Sequence, residues 1–349
     1  MTITDLEFYL VEVCCLGPAA PVRSLLVRLS TDLGMEGWGE AQLDWRPDEL
    51  AARRNALLPV LAGRSVFDIE ELLGLGALRL APLRCAVEMA CWDLVGRAVG
   101  EPLCHLFGGG YRRRIPLAVR LSGTSAQQVA QLSRELAEQG FHAQILGSLG
   151  RLDQDLELAA TARQWTQDRA ELRFDGAAGY DMDTARDLCG ELENAGLKFL
   201  LDPLKTRDLE QVASLRRQTS VPLAVWRSVR SPADVLAVVR CGAAPFVVVD
   251  LQLLGGLASA KKAAAIAQAA GLGASLATGP SLGIGMAAML QLTAATPVYS
   301  HCHQCAYHHL RDDLLTEPLE IVDGMIAVPQ GPGLGVEVDR AKLDRYQKG

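Results

Sequence analysis

Three aspartates stand where a short β-like run gives way to a loop: Asp175 in FDGAAGYD, Asp202 in LLDPLK and Asp250 in PFVVVD. Carboxylates so placed can accept hydrogen bonds from a ligand's hydroxyls or amine, carry a proton, or in sufficient number hold a hard cation. The run VPLAVWRS sets Trp226 beside Arg227, an aromatic face next to a fixed cation. Buried carboxylates need partners, and Arg227 is the natural one for Asp175 and Asp250. The segment Tyr299–His309, YSHCHQCAYHH, concentrates four of the six histidines and two cysteines. On a strand, His301, His303 and Cys305 would share one face, a spacing that suits zinc. The plainer reading is a polar strand end running into a loop. Cys302 and Cys305 form a C-x-x-C without thioredoxin-like surroundings. Ser281, in GPSLGIG, lacks the strand–elbow–helix setting of a hydrolase nucleophile. Gly108–Gly110 and Gly255-Gly256 read as turns and close packing rather than phosphate loops.

The chain has 349 residues, enough for two domains or one large barrel with a smaller partner. Hydrophobic residues at 49% and charged residues at 21% exclude wholesale disorder. A net charge of −7 speaks against nucleic-acid or anionic-membrane binding. No apolar run is long enough to span a membrane. The opening MTITDLEFYLVEV is acidic and alternating, unlike a signal peptide. With nine cysteines, an odd number, the expectation is a reduced, cytoplasmic protein. Only six lysines are present, and arginine supplies the other 28 basic residues.

Residues 2–43 predict a three-stranded antiparallel meander: Ile3–Val13, Val22–Leu29 and, after the turn Asp32-Leu33-Gly34, Glu36–Leu43. A helix carrying Leu50, Leu57, Leu58 and Leu61 follows, then a stronger one from about Pro82 to Val99. From Ile115 the rhythm becomes β/α. The expected strands are Ile115–Leu121, Phe141–Leu146, Glu171–Asp175, Lys198–Leu201, Val221–Trp226, Pro245–Asp250, Leu272–Ala277 and Val298–His303. Helices are expected over Ser125–Gln139, Thr184–Ala195, Asp208–Arg217, Pro232–Cys241 and Ala258–Ala270. Eight strands in this alternation close best into a parallel (β/α)8 barrel, which removes the edge strands. Glu320–Val328 reads as a hairpin.

Four segments, in order, resemble the enolase superfamily in its mandelate racemase/muconate lactonizing enzyme branch. Gly37-Trp38-Gly39-Glu40-Ala41 resembles the end of the capping meander, and Ala86–Gly109 the helix leading into the barrel. Gly255-Gly256 with Leu257–Ala270 resembles the segment after the sixth strand, and Pro329–Val338 the return to the cap. The resemblance implies a TIM-type barrel over 113–318, capped by an α+β domain made of 1–112 and the return 319–349. It also implies chemistry in which a proton is removed α to a carboxylate and magnesium stabilises the enediolate. The family's ligands stand at the ends of the third, fourth and fifth strands. Its bases are lysines on the second or sixth strand, or a His/Asp pair on the seventh and sixth.

Matched residue by residue, Asp175 keeps the third-strand ligand, the remnant of a magnesium site. Counting back from Pro203, the fourth-strand position holds Leu201. Asp202 is one residue off, so strand alternation turns it to the other face. The fifth-strand acids are replaced by Trp226 and Arg227. The second-strand lysine positions read Ile145 and Gly147. Asp250 matches the Asp of the racemase pair, while its His partner would fall near Ala277. His303 falls near that subgroup's electrophilic Glu. No lysine stands at a strand end facing the barrel; Lys205 comes closest.

The expectation is therefore a divergent member without standard enolisation activity, a ligand-binding homologue or an enzyme with metal-independent chemistry. Asp175, Trp226, Arg227, Asp250 and His303 would contact a ligand at the barrel mouth, and Asp250 and His303 would be the catalytic candidates. No cofactor is expected, or magnesium if the ancestral function persists. Trp226 would face inward, either as one wall of a mouth that suits a small neutral or cationic ligand or simply as a plug that leaves nothing to bind. The cap loops Cys14–Pro21 and Leu43–Pro47 would shape its specificity. The alternative is an active isomerase, racemase or acid-sugar dehydratase that gathers Asp175, Asp202 and Asp250 into a displaced metal site. The partner is a small molecule or carboxylate substrate, neither nucleic acid nor membrane, and a homo-oligomer is expected.

Overall fold

The computed structural model describes residues 1–349 except Pro18, Ser122, Thr124, Gln167, Asp168 and Gly349. Strands β1 (Ile3–Val13), β2 (Val22–Thr31) and β3 (Glu36–Ala41) form an antiparallel sheet in the order β1-β2-β3. The alternation in β1 buries Ile3, Leu6, Phe8 and Leu10. The turn before β3 closes through Thr31 N–H to the Met35 carbonyl at 3.0 Å, with Gly34 at φ 72°. The helix Ala81–Val99 crosses this sheet at close range. A Cβ at Gly39 would collide with the Ala86 carbonyl, which explains a glycine inside a strand.

Eight parallel strands follow: β4 (Arg114–Leu121), β5 (Ala143–Gly147), β6 (Glu171–Asp175), β7 (Phe199–Leu201), β8 (Leu223–Val225), β9 (Phe246–Asp250), β10 (Gly273–Ala277) and β11 (His303–Gln304). They pair in sequence order, and β11 pairs back onto β4, closing the barrel. The hairpin β12 (Ile321–Val322) and β13 (Met325–Ala327) adds antiparallel to β4 through Ile326 and Ile115. The tail then returns to the cap. Leu334 N–H reaches Asp93, Arg97 pairs with Glu337, and Lys348 N–H donates to the Leu10 carbonyl at 2.8 Å. Among the described residues no helix is long and apolar enough to cross a membrane.

Helices Ala126–Glu138, Met182–Leu192, Leu209–Arg216, Pro232–Cys241 and Leu257–Ala269 lie where the sequence predicts them. Among the described residues, three helices of seven residues or more lie outside the expected set, Leu152–Thr166, Gly283–Ala294 and Arg340–Tyr346, as do the short helices Ile69–Leu73 and Leu251–Leu254. Gly283–Ala294 is buried at every position, so it has no polar face to set a helical period. The last barrel strand also differs. A turn in which Tyr299 N–H bonds the Thr296 carbonyl occupies the expected start, and pairing is confined to His303 and Gln304.

The cap is joined to the barrel by buried carboxylates at helix N-termini. Glu40 accepts from the Leu282 and Gly285 amides, each at 2.8 Å, at the start of Gly283–Ala294. Glu88 accepts from the Ala258 amide at 2.7 Å and from the Trp92 indole at 3.1 Å, at the start of Leu257–Ala269. Burial pushes both acids up to about 7.

Candidate functional site at the barrel mouth

The barrel-facing residues of β6 are Glu171, Arg173 and Asp175, a charge at every second position. Arg173 is fully buried. It donates to Glu171 at 2.8 Å and to the Cys302 carbonyl at 2.9 Å, and stacks on Phe199 with its guanidinium 5.1 Å from the ring. It fills the barrel beneath the mouth. Above it, Asp175 has no solvent exposure and receives two arginines. Arg227 Nη1 and Nη2 stand 3.0 and 3.1 Å from its two oxygens, and Arg120 Nη1 stands 2.6 Å from Oδ2. The Ala177 amide adds a bond of 2.9 Å. Burial alone would raise this acid's pKa; the hydrogen bonds and charge of Arg227, then of Arg120, more than reverse that and hold it low.

Asp202 does not turn away as strand alternation predicts. β7 ends at Leu201, and Asp202 takes the left-handed conformation at φ 41°. Its carboxylate is thereby aimed back to the mouth, where it accepts from the Trp226 and Arg227 amides at 3.0 and 2.9 Å and from Arg227 Nη1 at 2.9 Å. Burial raises its pKa despite these partners; Asp202 has the one guanidinium of Arg227, whereas Asp175 also has that of Arg120.

Trp226 faces inward as expected, against the interior cluster of Phe199, Leu201, Ala224, Phe246, Val248 and Ala277. Arg227 reaches the mouth as well, because β8 stops at Val225 and the chain turns; its guanidinium lies 4.9 Å from the Trp226 ring centre. Asp250 is a separate element. It is 5% exposed and caps the short helix Leu251–Leu254 through the Gln252 and Leu253 amides at 2.8 and 3.2 Å. Burial raises its pKa to about 6, against those two amides and the nearby Trp226 indole. Among the described residues the indole N–H has no well-formed hydrogen-bond partner. The expected pairing of Arg227 with Asp250 does not occur; Arg227 is spent on Asp175 and Asp202.

His303 is not at the mouth. It lies in the layer between barrel and helices, where its Nδ1 accepts from the Leu276 amide at 2.9 Å. Burial drives its pKa down to about 3, leaving a neutral ring. His301 packs edge-on against Phe246 inside the barrel, and Cys305 belongs to the outer core. His301 therefore points to the opposite side from His303 and Cys305, and the zinc reading fails. Among the described residues no group of three His, Cys, Asp or Glu could hold a metal.

Sequence reasoning missed Arg120. Its signal was alternation with Ala118 on a strand bound for the barrel interior. Arg120 extends across Gly147 on β5: a Cβ there would stand 2.9 Å from the Arg120 Cζ. The cap closes over the Asp250 side of the mouth, with Gln42 N–H to Gln252 Oε1 at 3.2 Å and Gln42 Nε2 to the Pro280 carbonyl at 3.2 Å. From the other cap loop, the Leu16 amide donates to the His309 carbonyl at 2.6 Å and Cys14 accepts from the Arg311 amide at 3.0 Å; Pro18 in that loop lies outside the described residues.

These residues do not fit a magnesium ion. Magnesium takes oxygen ligands at about 2.0–2.1 Å in near-octahedral geometry. Leu201 and Trp226 offer none, Asp175 is saturated by two guanidinium groups, and those charges repel a divalent cation.

Residues 16–108 match the family described as mandelate racemase/muconate lactonizing enzyme, N-terminal domain, and residues 127–342 match the enolase C-terminal domain-like family. The chain is 30% identical to muconate cycloisomerase 1 of Rhodococcus opacus, over 90% of this chain and 88% of that one. It is also 30% identical to a probable glucarate dehydratase of Streptomyces coelicolor, over 91% of this chain and 83% of the other. A crystal structure of a muconate cycloisomerase from Azorhizobium caulinodans superposes with a TM-score of 0.89 at 28% identity, covering 99% of this chain and 98% of that one. With the capped barrel described above, these matches establish that the chain belongs to the mandelate racemase/muconate lactonizing enzyme branch of the enolase superfamily.

Proposed function

We propose that this chain is a metal-independent member of its family, one that holds a small ligand at the barrel mouth without the metal-assisted proton abstraction implied by the fold. The observation that carries this reading is Arg227, ion-paired with Asp175 and Asp202 together at 3.0 and 2.9 Å. A cation delivered by the protein stands where carboxylates would have to be free. Asp250 supports the reading from the other side. With its pKa raised to about 6 and no cationic partner among the described residues, it can accept or donate a hydrogen bond to a ligand near neutrality. The Trp226 ring offers an aromatic face beside it. Arg120, 38% exposed, adds a second cation, so two guanidinium groups stand with three carboxylates and a small polar molecule of little net charge fits best.

A second reading is favoured by the 30% identity to muconate cycloisomerase 1: an active isomerase or dehydratase using Asp250 as its base. Deuterium exchange at the α-carbon, followed by NMR over a library of carboxylic acids with and without magnesium, separates the two. No exchange above the buffer rate is expected. Exchange lost in Asp250→Asn would establish the second reading instead.

A further inference from the structure

Two carboxylates, from the ends of adjacent strands, converge on a single nitrogen. Arg227 Nη1 lies 3.0 Å from Asp175 Oδ1 and 2.9 Å from Asp202 Oδ2, while Nη2 holds the second oxygen of Asp175. Asp175 is completely buried and Asp202 nearly so. Two like charges this close to one point, out of water, repel unless a cation joins them. Three strand ends, β6, β7 and β8, meet through this one guanidinium. The backbone is shaped to permit it: Asp202 adopts a left-handed conformation, and its carbonyl accepts the Ala178 amide at 2.8 Å.

We infer that Arg227 is a built-in counter-cation that performs, for the architecture of this mouth, the cross-strand joining that a divalent ion performs when carboxylates are its only ligands. It is a positioning residue: it acts by fixing Asp175 and Asp202 and, through the Trp226 and Arg227 amides, the end of β8. The inference rests on the metal-independent reading above and extends it from activity to assembly. The planar fork matters, because a lysine offers a single ammonium to two carboxylates and cannot take Asp175 in a bidentate grip.

Thermal melting of the full-length chain, in EDTA and in millimolar Mg2+ or Mn2+ at matched ionic strength, tests it. Native protein should show no cation-dependent change beyond about 1 °C, and Arg227→Met should melt roughly 5–10 °C lower. Millimolar Mn2+, or ethylguanidinium as a detached replacement for the lost group, should restore part of that loss in Arg227→Met. Neither should do so in Arg227→Met/Asp175→Asn. A merely structural role for the arginine stem would give the same melting loss without cation rescue. Arg227→Lys should fall between native and Met and serves if the Met variant does not fold. A native protein stabilised by Mg2+ and destabilised by EDTA would overturn the inference, as would an Arg227→Met variant that melts with the native chain or ignores both cations. Melting reads assembly alone, so its failure stays distinct from detection of α-proton exchange, which would overturn the functional reading.

Discussion

The Arg120 guanidinium lies across Gly147, occupying the space into which any side chain at that position would project, and from there donates to Asp175 at 2.6 Å. A cation on one strand and an absent side chain on its neighbour are thus two halves of one contact. Gly147→Ala should push Arg120 off Asp175 and cost about 1–2 kcal/mol. Arg120→Met should cost a similar amount. In the double variant the losses should fail to add, with a coupling of at least about 0.5 kcal/mol in urea denaturation. Simple additivity would show the two positions to be independent.

Trp226 closes the top of the interior cluster and faces Asp250. Trp226→Ala should destabilise the fold by about 3 kcal/mol, the low end for a large aromatic because the ring is only partly covered. It should also let water reach Asp250 and bring its pKa down toward the usual carboxylate range, since burial is the largest influence raising it. Urea denaturation and NMR titration of the Asp250 carboxyl read the two effects separately. A stability change within about 0.5 kcal/mol would mean the ring rests on the barrel without filling it.

Glu88 gives the pH dependence a definite sign. Its pKa rises from 4.5 to about 7 in the fold, so its contribution is complete below 4.5 and is lost as the pH climbs through 7. Over that window the loss is up to roughly 3 kcal/mol. In Glu88→Gln the carboxamide oxygen can keep the Ala258 and Trp92 bonds, while its NH2 replaces the unpartnered Oε2. The variant should therefore gain on the native protein steadily from pH 5 to pH 8. Parallel stability profiles would show that Glu88 does not titrate there.

His303 works in the opposite direction. Its pKa falls from 6.5 to about 3, so its contribution is present above 6.5 and disappears as the pH drops through the acid range. His303→Ala should cost about 2–3 kcal/mol at pH 7, through a cavity and an orphaned Leu276 amide, and should flatten the acid limb of the stability profile. Ligand affinity at the mouth should not change. A calorimetric titration showing weakened binding would place the ring in the site after all.

The β/α alternation was legible because each interior strand is a short apolar run between helix caps such as Ser125 and Ser231, which accept from the Gln128 and Asp234 amides. Legibility failed where a local event overrides periodicity. The helix Gly283–Ala294 has no polar face to reveal its turn. Periodicity starts the last strand at Val298 and so brings His303 to the mouth, but a turn at Thr296–Tyr299 consumes that stretch and pairing begins five residues later, at His303. Alternation puts Asp202 on the other face only if the strand continues past Leu201; it ends there, and a positive φ at Asp202 reverses the direction of the side chain. Arg120 was readable in principle from its alternation with Ala118. Its reach across a neighbouring glycine was not, since that depends on which strands lie side by side.

The carboxylates of Glu40 and Glu88 have a consequence for how the molecule comes apart. Each belongs to the cap, yet each completes the first turn of a barrel helix. Lifting the cap strands the acids and the amides of Leu282, Gly285 and Ala258 in the same instant, so neither half has a low-energy state without the other. Cap and barrel should then melt in a single cooperative transition, and those three amides should exchange with solvent only at the rate of global opening. Although the sequence reads as a cap module followed by a barrel module, cutting it between them would yield two fragments that lack the partners their own buried ends require.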